Sequence, residues 1–237
     1  MIFTVDQRSS DSPFVERIWR ATSVHGGPFL SIAMSHWEMV VTKLNGRTTV
    51  TVRGPETKVT PLHCPAGGEW LGIRFRLGTI MPDLPARDLV DAATDLPEMG
   101  RDTFWLHGSA WKVPDLDNVE AFVGRFVRAG LLVRAPVVDA VLHGEPTQRS
   151  LRTAQRRFVQ TTGLTHGAVR RIERARYAAT LLQQGVPILD AVHEAGYFDQ
   201  PHLTRSLKQY IGQTPAQIIG RSKAEQLSLL YKTAPLH

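Results

Sequence analysis

The sequence predicts an α+β chain in two parts: a small N-terminal β-barrel with helices, then an all-α C-terminal domain. Two observations carry this. Between Phe29 and Arg76, short runs of strand-forming residues are divided by turn residues, the pattern of small sandwiches and barrels. From Ser150 to Gln217, apolar residues recur at helical spacing, and Ser, Asp, Gly and Pro stand where helices begin and end. The expected boundaries are residues 1–133 for the sheet-rich part, 134–221 for the helical part and 222–237 for a tail with a short Leu stripe.

The strands follow in order. Met1–Gly27 is weakly patterned, and its polar stretch Asp6–Pro13 reads as loop. Phe29–Met34 is one candidate strand and Trp37–Leu44 a second, closed by Asn45-Gly46, a two-residue hairpin signal. Arg47–Arg53 alternates cleanly: Thr48, Val50 and Val52 face one way, Thr49 and Thr51 the other. Gly54-Pro55 breaks that run. Lys58–His63 and Trp70–Arg76 read as further strands on either side of Pro65–Gly68. Asp83–Ala93 then turns helical, and Leu116–Leu132 carries Val119, Phe122, Val123, Phe126 and Val127 at helical spacing.

Composition sets outer bounds. The 237 residues suffice for one large or two ordinary domains, and 42% hydrophobic content fills real cores. A formal net charge of +6 favours anionic partners such as nucleic acid only where the charge is clustered. The single cysteine, Cys64, excludes an intramolecular disulfide and a Cys-rich zinc site, which fits a reducing cytosol. The segment Met1–Phe14 has no apolar core of signal-peptide length, and no run of eighteen apolar residues exists, so a cytoplasmic location is expected.

The first part offers little chemistry. His25, His36, His63, Cys64 and Glu69 are the candidate metal ligands, but His63 and Cys64 are adjacent and point to opposite faces of a strand. The histidines therefore read as scattered polar residues and Cys64 as a small buried hydrophobe. Trp37, Trp70, Phe75, Trp105 and Trp111 read either as core or as the lining of a small-molecule pocket. No G-x-S-x-G elbow, Gly-rich phosphate loop or compelling carboxylate pair is present. The expectation is a protein that is not an enzyme, with no cofactor and no metal.

The second part is where charge clusters. From Arg149 to Arg176 there are eight arginines (Arg149, Arg152, Arg156, Arg157, Arg170, Arg171, Arg174, Arg176) and one acid, Glu173. A solvated helix face would interleave Glu with Arg. Ser150 is a good N-cap for a helix from Leu151 to about Thr161, ended by Gly163, with Leu151, Ala154 and Phe158 facing inward. Arg152, Gln155, Arg156 and Val159 lie on an adjacent face. Arg can pair bidentately with guanine and Gln with adenine, so Arg152, Gln155 and Arg156 suit base edges. Arg149 and Arg157 project elsewhere and suit phosphates.

A longer helix, about Gly167–Gln184, has Val169, Ile172, Ala175, Ala179 and Leu182 as its apolar stripe and stops at Gly185-Val-Pro187. Ile188–Ala195 is a short helix, Gly196 allows a tight turn, and Asp199 caps the next helix with Pro201 in its first turn. Leu203, Leu207 and Tyr210 face inward there, leaving Gln200, Thr204, Arg205 and Lys208 outward, before Gly212 and Pro215 close the unit. A short helix, a Gly turn and a second helix with outward Gln and Arg is helix-turn-helix geometry. Two such units on one rigid helix would reach major-groove segments one DNA turn, ~34 Å, apart.

These residues carry a resemblance. S-x-R-T-x-Q-R-R-F at Ser150–Phe158, T-G-L-T at Thr162–Thr165 and R-A-R at Arg174–Arg176 resemble the AraC/XylS family of transcription regulators. So do A-G-Y-x-D-Q-P-H-L-T-R at Ala195–Arg205 and G-Q-T-P at Gly212–Pro215. The resemblance implies a seven-helix domain that binds double-stranded DNA through both recognition helices. By motif position it implies Arg152, Gln155 and Arg156 as base readers of the first, and Gln200, Thr204 and Arg205 of the second. The first part is similar, more loosely, to a cupin-like sensor domain of one branch of that family, through Gly72-Ile-Arg-Phe75 and Leu84-Pro-Ala-Arg-Asp-Leu89. That likeness implies a small-molecule effector or a homodimer, with RNA polymerase as a further partner. Leu116–Leu132 is a candidate dimer helix if its stripe is not plain core.

The chain departs from the family pattern in places. The first unit's leading helix, Val137–His143, is followed by a long polar Gly144–Arg149 where a tight turn is usual. Ala191-Val192 stands for the usual Leu-Ala pair, Leu207 for a common Phe, and Pro201 for an often polar residue. The expected function is sequence-specific DNA binding in transcription regulation. The alternative is a metal-dependent cupin-type enzyme fused to a DNA-binding domain. A Cys-dependent alkyl-transfer repair domain, which also occurs beside this DNA-binding unit, needs several cysteines and is excluded.

Overall fold

The computed structural model describes residues 3–144 and 150–220. Its first half contains β1 (Phe3–Ser9), β2 (Val15–Ser23), β3 (Gly27–Ser31), β4 (Glu38–Leu44), β5 (Arg47–Arg53), β6 (Thr60–Cys64), β7 (Glu69–Phe75) and β8 (Thr79–Ile80). A 3-10 turn at Ala86–Leu89 leads to β9 (Ala93–Asp95), β10 (Glu98–Gly100), β11 (Thr103–Leu106), β12 (Ser109–Lys112), α1 (Val119–Arg128) and β13 (Val133–Arg134). The main sheet has six strands in the order β1-β2-β7-β4-β5-β9, and every pairing in it is antiparallel.

Alternation builds this sheet. Met39 and Val41, Val50 and Val52, and Leu71, Ile73 and Phe75 recur every second residue, so one face of β4, β5 and β7 is apolar. That face buries Val119, Phe122, Val123 and Phe126 of α1, each burial stabilising by about 1.5–3 kcal/mol. The apolar stripe of α1 is therefore core rather than a free dimer face. Asn45 and Gly46, with φ of 50° and 76°, form the hairpin turn between β4 and β5 as expected.

Three expectations for this half need correction. Asp6–Pro13 is not loop throughout: it overlaps β1, an edge strand paired through its backbone with β2 on one side. The stretch Asp83–Ala93 holds only the four-residue 3-10 turn, because Pro85 and Val90 on either side are extended. No closed barrel forms among the described strands. β1 and β9 are separate edges of the main sheet, and β3 pairs with β6, β13 with β8 and β11 with β10 and β12 in small sheets of their own.

The second half contains α2 (Pro136–His143), α3 (Leu151–Thr162), α4 (His166–Gln183), α5 (Ile188–Glu194), α6 (Gln200–Tyr210) and α7 (Pro215–Ile219). These are six helices among the described residues, against the seven the resemblance implies. Side-chain caps fix several starts. Ser150 accepts from the Thr153 N–H, Thr165 from Ala168 and Asp199 from His202. Thr214 and Gln217 form a capping box on α7. At 18 residues α4 is the longest helix here, and α3, α5, α6 and α7 all pack on it.

The two halves share a core. Ile32 and Ala33, just after β3, are buried in the same cluster as Val169, Ile172, Leu203, Leu207 and Tyr210. Backbone hydrogen bonds reinforce the junction: Ala33 N–H donates to the Tyr210 carbonyl at 2.8 Å, and Val59 N–H to the Gln209 carbonyl at 3.1 Å. The 3-10 turn at Ala86–Leu89 packs on α3.

Candidate nucleic-acid interface

The geometry of the second helix-turn-helix follows from its local chemistry. Gly196 takes φ of 68° and lets α5 turn sharply into α6. Asp199 caps α6 by accepting the His202 N–H at 2.7 Å, and Pro201 pre-sets its first turn. Leu203, Leu207 and Tyr210 then fall on the buried face. Gln200, Arg205 and Lys208 are exposed, and Thr204 is half-buried beside them.

The first unit is built the same way. On α3, Ala154 and Phe158 are buried, while Arg152, Gln155, Arg156 and Arg157 are exposed. Its leading helix α2 ends on Gly144 in the left-handed conformation. Arg149 and most of the long turn before α3 lie outside the described residues. Arg170 and Arg171, early on α4, are exposed as well and extend the basic surface.

The arginine cluster does not all face outward. Arg174 reaches the turn of the second unit: its Nη1 donates to the Gly196 carbonyl at 3.2 Å, and its guanidinium lies 4.5 Å from the centre of the Tyr197 ring. Tyr197 is itself held by its hydroxyl at 2.8 Å from Ser206 Oγ. Arg174 thus braces the turn that aims α6. Arg176 is 2% exposed and donates from Nη1 to the Ala33 carbonyl at 3.2 Å, joining α4 to the first half. Its sequence signal was available, because Arg176 stands four residues after Ile172 and so shares the apolar face of α4.

Around Arg176 lies a buried row of charges that sequence reasoning did not assemble. Glu173 Oε2 is 3.4 Å from Arg176 Nε, and Glu173 Oε1 accepts from Ser35 Oγ at 2.5 Å. His36 is enclosed between Glu16 (3.4 Å) and Glu173 (3.9 Å). Arg74 of the Gly72–Phe75 motif is fully buried on β7, opposite Glu38 of β4 and Arg17 of β2 in the strand register. Glu38 in turn accepts from Trp19 Nε1 at 3.2 Å.

These charges set one another's protonation. Burial acts against the Glu16 carboxylate, yet His36, Arg74, Arg176 and Arg17 outweigh it and hold its pKa below the ordinary value. Burial pushes His36 down, and Arg74 and Arg176 add to that. Glu16 and Glu173 pull upward without reversing it. The close approach of His36 to two carboxylates would suggest an ion pair. Desolvation of an enclosed imidazolium is the larger effect and holds the His36 pKa below its ordinary value.

Elsewhere the expected metal-ligand candidates stay apart. His63 and Cys64 are neighbours on β6, and among the described residues no group of three or more His, Cys, Asp or Glu is placed to hold a metal ion. Burial raises the Cys64 thiol pKa, which leaves it a poor nucleophile. Of the five aromatic residues read as core or as pocket lining, Trp37 and Phe75 are buried and stacked with ring centres 4.0 Å apart. Trp105 is exposed, while Trp70 and Trp111 are partly buried. Trp70, with Arg20, Lys43, Glu69 and Leu116, lines a cavity of ≈ 290 Å³ on the main sheet. No described helix is long and apolar enough to cross a membrane.

Comparison with known proteins bears on the second half. Residues 146–221 match the helix-turn-helix domain family. No curated protein and no solved structure matches the chain.

Proposed function

We infer that the chain, whose residues 146–221 match a helix-turn-helix domain family, is a DNA-binding transcription regulator that reads two successive major-groove segments with α3 and α6. The carrying observation is that both helices are capped, packed on the single helix α4, and present exposed Arg and Gln together. At 1.5 Å per residue, α4 is ~27 Å long, a rigid strut of the scale needed to hold two readers about one DNA turn apart.

The roles follow from chemistry and position. Arg152, Gln155 and Arg156 on α3, with Gln200, Thr204 and Arg205 on α6, are the proposed base readers. Arg149, Arg157 and Lys208 are proposed phosphate contacts, joined by Arg170 and Arg171. The first half is proposed as the sensing or self-association module, and the cavity beside Trp70 is its candidate effector site.

The test is selection of duplexes from a random-sequence library by the full chain, followed by affinity measurement on the selected site. Arg156→Ala and Arg205→Ala are each expected to weaken specific binding by ~1–3 kcal/mol and to relax the sequence preference under their own helix. Undiminished affinity in both variants would overturn the reading.

A further inference from the structure

The second helix-turn-helix carries one side chain that its fold does not explain. Phe198 is 91% exposed, more than any other large hydrophobic residue among those described. It stands immediately before Asp199, the N-cap of α6, and two residues before Gln200. An apolar residue at that position normally packs on the fourth residue of the helix as a hydrophobic staple. That fourth residue is Leu203, which is fully buried in the domain core, whereas Phe198 stands in solvent. Tyr197 takes the inward place instead, its ring 5.1 Å from that of His202.

Phe198 is exposed but not loosely held. Arg174 grips the turn through Gly196 and Tyr197, and the Asp199 cap holds it from the α6 side. The backbone therefore presents an apolar ring, at a fixed position, beside the N-terminal end of a recognition helix. That end of the helix is where side chains meet base edges, and the one apolar group displayed in the major groove is the thymine 5-methyl.

Resting on the DNA-reading function proposed above, we propose that Phe198 is a specificity-determining residue of the second unit, its ring packing on the 5-methyl group of a thymine in the segment that α6 enters. Gln200 and Arg205 would read hydrogen-bonding edges in the same segment, and Phe198 adds a preference they cannot supply.

The experiment uses the full chain and the duplex it selects from a random library. Each thymine under α6 is replaced singly by uracil, which removes only the methyl group. Wild-type affinity falls about fourfold at one thymine, the worth of one buried methyl-sized group. Phe198→Ser binds the thymine duplex about as weakly as wild type binds that uracil duplex, and does not distinguish the two. Because the side chain is outside the core, its melting temperature stays at the wild-type value. The inference is overturned if no thymine-to-uracil change separates the two proteins, or if Phe198→Ser selects the same sequence with equal affinity. That second result would assign the exposed ring to a protein partner. Arg205→Ala on the same duplex separates the two layers: loss of binding there with no Phe198 effect sinks this inference alone. Failure of the wild-type chain to select any sequence sinks the DNA reading and this inference with it.

Discussion

His36 shows how a single residue ties stability to pH. It is enclosed by Glu16 on β2, Glu173 and Arg176 on α4, Arg74 on β7 and the adjacent Ser35. Burial holds its pKa below the ordinary 6.5, so in acid the folded chain carries fewer protons than the unfolded chain. Stability is therefore lost as pH falls from about 6.5 toward the folded value. Glu16 acts with the same sign, since a carboxyl held below its ordinary 4.5 gives stability that is lost further into acid. Thermal melts between pH 7 and pH 5 should show a falling melting temperature, with a shallower slope in His36→Gln. Equal slopes in the two proteins would remove His36 as the cause, whatever the absolute stability of the variant.

At the scale of elements, Gly163 marks the end of α3 and the contact between the halves. It adopts φ of 77°, where a side chain costs about 1–2 kcal/mol. A Cβ there would also lie 2.7 Å from Val90 Cγ2 and 3.0 Å from the Ala86 carbonyl oxygen, beside the 3-10 turn. Gly163→Ala should lower the urea midpoint with little change in the slope of the transition. An unchanged midpoint would show that this junction is free to give. The contrast between elements explains what was legible in the sequence. Ser150, Gly163, Asp199 and Pro201 announce helix ends by local chemistry, so α3 to α6 fall within a residue or two of expectation. The strand β1 sends no such signal, because an edge strand with polar residues lacks the apolar alternation that marks a half-buried one. Likewise Leu84–Leu89 was readable as a family-like phrase, but its role as a brace for α3 depends on a contact between residues far apart in sequence. The exposed Arg and Gln side chains of α3 and α6 were legible because helical period sorts faces. Composition counts Arg176 with the basic cluster, while its register places it inward.

For the whole molecule, the shared core argues that the two halves unfold together. Ile32 and Ala33 sit among the side chains of α4 and α6, and the buried charges bind β2, β7 and α4 into one network. Removing one partner of such a network strands the others without solvent, so separating the halves is costly. A composition accident makes this measurable. All five tryptophans, Trp19, Trp37, Trp70, Trp105 and Trp111, lie in the first half, while every described α-helix except α1 lies in the second. Tryptophan fluorescence thus reports the sheet-rich half, and far-ultraviolet helical ellipticity mainly the helical half. In urea the two signals should trace one coincident transition. A core substitution confined to the second half, Leu207→Ala, should lower both midpoints by the same amount, corresponding to about 2–5 kcal/mol. Two separated transitions, with only the ellipticity shifted by Leu207→Ala, would mean that the halves fold independently and that the buried charge row is a docking contact rather than a common interior. A common interior would let any event that loosens β2 or the segment after β3 reach α4, and through Arg174 the turn that aims α6.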